Sequence, residues 1–319
     1  MNSLKEIANV LKKSKSAVIF THMRPDGDAI GSAIALSRAL SLLGIRNEVL
    51  NEGAVPDRFS YLGGVKEIKN APTFDAELFI CVDSSNESRL GMLRDTFLAG
   101  IKHKITVNVD HHISNTNYCK YNFVRDRASN CENIAELIKE LGVTFTKEIA
   151  EALMTGMITD SGGFSHSDVN GDSFRAAGDV ADAGADVNRI YYEAMKKQSR
   201  PRAQFFLKAL SRLRFLLDDA LTIVVVPQSL LNEFGLKSDA TEGLVDFGLT
   251  IEKTEVSVCI LEVKKGQYKV SFRSKGKVNV NETAGVFGGG GHILASGCVL
   301  FGEEEEVVDK IRYAVWQRL

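Results

Sequence analysis

The sequence predicts an α/β protein: a doubly wound, mostly parallel sheet followed by a second, smaller α/β domain. Two observations carry this expectation. In the first half, short continuous apolar runs such as Leu78–Val82 alternate with segments of helical periodicity, the pattern of strands covered on both faces. In the second half, two β-rich runs, residues 255–263 and Gln267–Ser274, are joined by Lys264-Lys265-Gly266, a hairpin signal. The 319 residues suffice for two domains.

Taken in order, Leu4, Ile7, Ala8 and Leu11 recur at helical spacing, and residues 16–20 form a short β-branched and aromatic strand. Residues 29–43 read as a helix with Ile30, Ala33, Ile34, Leu40 and Leu43 on one side. Strands follow at 47–51, Leu78–Val82 and 105–109, then helices at 133–142, 147–159, 173–183 and 188–196. A basic helical stretch over 201–214 leads to strands at 220–226, 255–263 and Gln267–Ser274. A glycine run, Gly288–Gly291, one more strand and a terminal helix over 303–319 complete the chain. The expected division is a first domain over 1–195, a helical linker over 196–214, and a second domain over 215–319.

Composition narrows the class. Apolar residues make up 44% and charged residues 25%, which excludes a disordered chain. Lys plus Arg number 39 against 41 Asp plus Glu, so a broad affinity for long nucleic acid is not expected, because that binding needs many phosphate contacts. A short nucleotide held in a local pocket is allowed. No apolar run approaches the roughly 18 residues of a membrane span, and the N-terminus lacks a signal-peptide core. The five cysteines have no C-x-x-C spacing, which points away from a zinc ribbon or a disulfide framework. A cytoplasmic protein without membrane contact is the expectation.

Where the carboxylates and imidazoles fall is more informative than how many there are. The first strand runs into His22-Met-Arg-Pro-Asp26-Gly-Asp28, Leu78–Val82 ends on Asp83, and the strand at 105–109 ends on Asp110-His111-His112. An apolar helix ends on Thr159-Asp160-Ser161-Gly162. Ligands of open parallel sheets gather at the carboxyl ends of strands, so these segments are expected at one edge. Each residue has a bland reading, such as Asp28 as an N-cap or Asp160 as a turn residue. The joint pattern does not, because capping calls for no histidines. Mixed Asp/His donors without thiolates suit Mn²⁺, with Mg²⁺ or Co²⁺ as alternatives. Four aspartates, Asp26, Asp28, Asp83 and Asp160, balance the charge of two divalent ions, leaving a site that accepts an anionic phosphate.

With these residues and the C-terminal Gly288-Gly-Gly-Gly-His292-Ile-Leu-Ala-Ser296-Gly297, the chain resembles the DHH phosphoesterase superfamily with its DHHA1 domain. Within it the chain looks most like the stand-alone nanoRNase and pAp phosphatase group. The resemblance implies one metal on His22, Asp26 and Asp83 and a second on Asp28, Asp83, His111 and Asp160, with Asp83 bridging. It implies that Asp110 orients an imidazole and that His112 faces the substrate phosphate. It also implies that the second domain grips the nucleotide through Arg273, Ser274, Gly290, Gly291 and His292. The glycine run itself offers backbone amides to an anion, and Arg273 a guanidinium fork. Cys131 reads as a packed residue, not a nucleophile.

The function so implied is hydrolysis of phosphoester bonds in di- to tetranucleotides, and of 3′-phosphoadenosine 5′-phosphate, with the second domain selecting substrate length. The alternatives are a cyclic-dinucleotide phosphodiesterase and a non-catalytic nucleotide-binding regulator. A homodimer is compatible with the sequence.

Overall fold

The computed structural model describes residues 1–319, which divide into two compact units, Met1–Lys197 and Gln198–Leu319. The first unit runs α1 (Leu4–Lys13), β1 (Ser16–Phe20), α2 (Gly27–Leu42), β2 (Arg46–Leu50), β3 (Leu78–Val82), α3 (Leu93–Gly100), β4 (Ile105–Asp110) and β5 (Tyr121–Val124). It continues with α4 (Asn130–Glu140), α5 (Lys147–Asp160), α6 (Gly171–Asp182) and α7 (Val187–Tyr191). All five strands are parallel, in the order β2-β1-β3-β4-β5.

That order places a switch point between β1 and β3. The chain leaves β1 toward β2 on one side and returns to β3 on the other, so the loops after β1 and β3 diverge and leave a crevice. Both faces of the sheet are covered. Ile19 and Ile80 pack with Ile30, Ile34, Leu137 and Leu153 on one side. Val18, Phe20 and Cys81 pack with Phe79 and Phe97 on the other, where the Phe20 and Phe79 rings meet edge to face at 5.0 Å.

Three differences from the sequence reading have local causes. β5 and α3 went unread, because β5 is a four-residue edge strand with a polar Asn122 and α3 has only Leu93 and Phe97 buried. The helix expected over 188–196 is α-helical only through Tyr191, and Tyr192–Lys196 forms a π turn. The helix expected over 201–214 ends at Leu210, and Arg214 lies in a strand where its guanidinium bonds Glu304 and Glu305.

The second unit comprises α8 (Arg200–Leu210), β6 (Arg214–Leu216), β7 (Leu221–Val226), α9 (Gln228–Glu233), α10 (Leu244–Leu249), β8 (Val256–Lys264) and β9 (Gln267–Ser274). After these come α11 (Val280–Gly285), β10 (Gly290–Gly291), β11 (Ala295–Phe301) and α12 (Glu304–Trp316). Its sheet runs β10-β11-β9-β8-β7-β6, with only β7 and β8 parallel. One face packs against Val280, Val307, Ile311 and Val315 of α11 and α12. On the other, Phe205, Leu230 and Leu244 cover Val224, Val226, Cys259 and Leu261 of β7 and β8.

No helix is long and apolar enough to cross a membrane.

Candidate metal centre

Asp26 is the N-cap of α2, its carboxylate accepting the amides of Asp28 and Ala29. Asp28, in the first turn of α2, does something the sequence does not announce. Its carboxylate accepts the amides of Asn130 (2.5 Å) and Cys131 (2.8 Å), so it caps α4, whose own N-cap residue Ser129 makes no such bond. A carboxylate at a helix N-terminus is favoured by the exposed amides and the helix dipole. This is why α4 begins at Asn130 and not near 133.

α2 and α5 approach closely because glycines face the contact. A Cβ on Gly27 would stand 2.3 Å from Thr159, and one on Gly156 would meet Cys131 Sγ at 2.2 Å and Asp28 at 2.6 Å. That approach brings Asp160, at the end of α5, to the aspartates of α2.

Asp83 follows β3 in a left-handed conformation, φ +52°, uncommon for a residue with a side chain. Its amide donates to Val109 at 3.1 Å, which holds the turn. The carboxylate is buried between two imidazoles. His22 Nε2 stands 3.5 Å from Asp83 Oδ2 and 3.6 Å from Asp26. His111 Nε2 stands 3.4 Å from Asp83 Oδ1, 3.5 Å from Asp160 and 3.9 Å from Asp28.

The other ring nitrogens are occupied. His22 Nδ1 donates to the Met23 carbonyl and His111 Nδ1 to the Arg127 carbonyl, each at 2.9 Å. A carbonyl only accepts, so Nδ1 carries a proton and Nε2 is the atom that faces the site, a lone-pair donor whenever the ring is neutral. His112 differs. Its Nδ1 bonds Asp110 at 2.8 Å, and Asp110, fully buried, also accepts from Asn115 at 2.6 Å.

The electrostatics are those of a cluster short of positive charge. Burial and the negative charge of Asp83 push Asp28 well above the usual carboxylate range. Burial and Asp28 do the same to Asp160. Burial would raise Asp83 too, but contacts with His111 and His22 overcome it and hold Asp83 below that range. Burial likewise opposes charge on the imidazoles, yet the nearby carboxylates of Asp26 and Asp83 push His22 to about 10, and those of Asp83 and Asp28 push His111 to about 11. Asp83 Oδ1 is buried with no hydrogen-bond partner.

Three donor groups meet the requirement for an ion, each with its donor atoms within 4.8 Å: His22, Asp26 and Asp83; Asp28, His111 and Asp160; and Asp83, His111 and His112. The sets share Asp83 and His111. The orphaned Asp83 oxygen, the mutual repulsion of the aspartates and the inward Nε2 atoms all fit divalent cations. All six residues expected as metal ligands are thus brought together, and Asp110 and His112 adjoin them. Sequence reading missed Arg127, which acts here through a main-chain carbonyl that no residue type advertises, and Asn115, which holds Asp110. Cys131 is fully buried and its thiol is pushed far up by burial, so it is a packing residue.

In the second unit, Arg273 is half-exposed at the end of β9, where its Nε bonds Asp246 at 3.2 Å. Arg273 pairs in register with Ala295, and His292 begins the turn into β11, so both belong to one end of the sheet. Two expectations need correction. Ser274 is buried, donating to Glu255 Oε1 at 3.1 Å and accepting from the Gly276 amide, so its hydroxyl serves a turn. The glycine run is not an open cradle of amides. Gly288, Gly289 and His292 donate to the carbonyls of Gly285, Ala284 and Ala295, and Gly291 donates to Asn281 Oδ1. Gly290 and Gly291 instead form the short edge strand β10, whose missing side chains leave it open to close approach.

Carboxylates and imidazoles gathered at the switch point of a parallel sheet define a metal-binding α/β protein. A family model described as the DHH family, N-terminal domain, matches residues 16–157, and one described as the DHHA1 domain matches 219–319. A Thermus thermophilus protein named bifunctional oligoribonuclease and PAP phosphatase NrnA is 30% identical, the match covering 98% of this chain and 93% of the relative. A Bacillus subtilis protein of the same name is 26% identical over 94% of each chain. The crystal structure of an exopolyphosphatase-related protein from Bacteroides fragilis superposes with a TM-score of 0.88 at 26% identity, covering 98% of this chain and 95% of the other. The chain belongs to the DHH family and carries its DHHA1 domain.

Proposed function

We propose that the protein is a two-metal phosphohydrolase that cleaves di- to tetranucleotides to mononucleotides and removes the 3′-phosphate of 3′-phosphoadenosine 5′-phosphate. The observation that carries the reading is the pair of inward Nε2 atoms, His22 and His111, on either side of the orphaned Asp83 carboxylate. The relatives named above support the substrate class.

His22, Asp26 and Asp83 would hold one ion, and Asp28, Asp83, His111 and Asp160 the other, Mn²⁺ being favoured by the oxygen and imidazole donors. Such a pair supplies charge that polarises a phosphoryl oxygen and acidifies water. The chain's own residues do the rest. The Nδ1 bond to Asp110 turns His112 so that Nε2 is left for the substrate, and the same carboxylate raises the His112 pKa. That shift favours the charged ring, whose Nε2–H donates to a phosphate or leaving-group oxygen. Arg273 and His292 of the second unit take a terminal phosphate, the guanidinium through paired N–H bonds.

The test is incubation of the metal-stripped protein with 5′-phosphorylated diadenylate, with 3′-phosphoadenosine 5′-phosphate and with cyclic diadenylate, each with and without Mn²⁺. Chromatography should show AMP from the first two only when metal is added. Release of product from the cyclic substrate alone would overturn the proposal in favour of a cyclic-dinucleotide phosphodiesterase. Nucleotide binding without turnover would make it a regulator.

A further inference from the structure

One face of the second sheet is only half covered. Phe205, Leu230 and Leu244 close over β7 and β8, while β9 and β11 on that side stay outside the core. Side chains alternate along a strand, and burial shows which ones share the open side: Lys269, Ser271 and Arg273 of β9, with Ala295, Gly297, Val299 and Phe301 of β11. Their neighbours Val270, Phe272, Cys298 and Leu300 lie in the opposite core. Across the ladder Arg273 stands opposite Ala295, Ser271 opposite Gly297, Lys269 opposite Val299 and Gln267 opposite Phe301. Gly290 extends the Ser271–Gly297 row onto β10.

This surface has three properties. Its middle row bears no side chain larger than serine, so a flat ring can lie on the strands. No acidic residue occurs in β9 or β11, while cations stand at Arg273 and Lys269 and continue to the turn at Lys264 and Lys265. Asp246 of α10 meets the face at Arg273, with which it pairs. Finally, Val299 is 45% and Phe301 64% exposed, large apolar groups left in water next to a lysine. Aromatic side chains on an open sheet are a recurrent platform for unstacked bases, paired with cations that follow the backbone. The four residue steps from Lys269 to Arg273 span about 14 Å.

We propose that this open half-face is a track for the part of an oligonucleotide beyond the phosphate held at Arg273, with Lys269 meeting a backbone phosphate and Phe301 stacking a base. The proposal rests on the reading of the protein as an oligonucleotide hydrolase and adds how length is sensed: a dinucleotide stops short of Lys269 and Phe301, and a tetranucleotide reaches them.

Full-length Lys269→Ala and Phe301→Ser proteins, both altered at exposed positions, test it against 5′-phosphorylated diadenylate and tetraadenylate. The KM for the tetranucleotide should rise about tenfold in each, as expected for losing one stacked base or one phosphate contact, with dinucleotide kinetics within about a factor of two of wild type. Equal effects on both lengths, or none on either, overturn the track. Gel filtration of wild type and Phe301→Ser decides the competing occupant: conversion of a dimer to a monomer would assign the face to a second copy of this chain. A separate arm needs no turnover. Fluorescent tetraadenylate should bind the metal-free protein more tightly than diadenylate, and Lys269→Ala should abolish the difference. If wild type with Mn²⁺ hydrolyses neither substrate, the hydrolase reading fails while this binding arm still decides the track.

Discussion

The two units present polar groups in opposite ways. In the first, four aspartates and two imidazoles are packed so that Asp28 and Asp160 are pushed toward neutrality and Asp83 Oδ1 has no hydrogen-bond partner. In the second, the expected contacts are exposed or already bonded: Arg273 with Asp246, Gly291 with Asn281, Ser274 with Glu255. A buried, unsatisfied cluster is costly unless a cation joins it. A half-exposed guanidinium with a replaceable partner carries no such cost and can exchange Asp246 for a phosphate. On the proposed reading, the first unit would retain ions and the second would bind and release an anion.

The largest expected effect is at Asp83. Asp83→Asn keeps the shape and removes the charge shared by both donor sets, so both ions should be lost and turnover should fall by about a thousandfold or more. His112→Ala sharpens the contrast: metal content should stay at the wild-type value while kcat falls by about 10²–10⁴. Elemental analysis beside steady-state kinetics separates the two. Metal content unchanged in Asp83→Asn would sink the assignment of the first unit.

A smaller effect is expected at Arg127, whose carbonyl fixes His111 and whose buried guanidinium bonds Glu136 and Asp172. Arg127→Met frees that segment, and metal affinity should drop by about 10–100-fold, the usual consequence of losing a ligand's outer support. Competition with a chelator measures it, and recovery of affinity in Arg127→Lys distinguishes positioning from general damage. Arg273→Gln, in the second unit, should leave metal affinity untouched and raise the KM for a 5′-phosphorylated dinucleotide by about tenfold, the loss of one charge-assisted bond. A change in bound metal there would erase the division between the units.

What the sequence reveals and conceals follows the same divide. The strand ends are readable because continuous apolar runs stop on Asp83 and Asp110-His111-His112, and a parallel sheet has only one carboxyl edge. Five of the six ligand candidates need no more than that; Asp160 ends a helix and depends on the close approach of α2 and α5. Groups whose partners are distant in sequence are not readable. Asp28 caps a helix about a hundred residues away, so α4 starts earlier than its own apolar spacing suggests. Arg214 leaves the predicted helix for a strand because Glu304 and Glu305 lie far down the chain. The glycine run looks like a nest until the carbonyls that consume its amides are located.

Glu48 provides the control for the claim that unsatisfied burial, not burial itself, marks the metal centre. It is as buried as the aspartates, with its side chain 3% exposed, but it has partners for both oxygens. The Thr73 amide donates at 2.8 Å, its hydroxyl at 2.6 Å and Lys69 at 2.9 Å. Burial alone would raise its pKa, yet Thr73 and Lys69 outweigh burial and hold it below the ordinary glutamate value of 4.5. A carboxylate lowered on folding stabilises the native state above its unfolded pKa, and that stabilisation is lost as pH falls from about 4.5 through the lowered value. Glu48→Gln should cost about 1.5–3 kcal/mol near neutrality, the range for hydrogen bonds to a charged group, and the gap from wild type should close in denaturant titrations taken down through that window. Asp28 and Asp160 carry the opposite sign. With pKa values raised on folding, they disfavour the metal-free native state where both would be ionised, so added divalent metal should raise its melting temperature at neutral pH. The same metal should leave the Glu48→Gln difference unchanged, because that carboxylate has nothing left to coordinate.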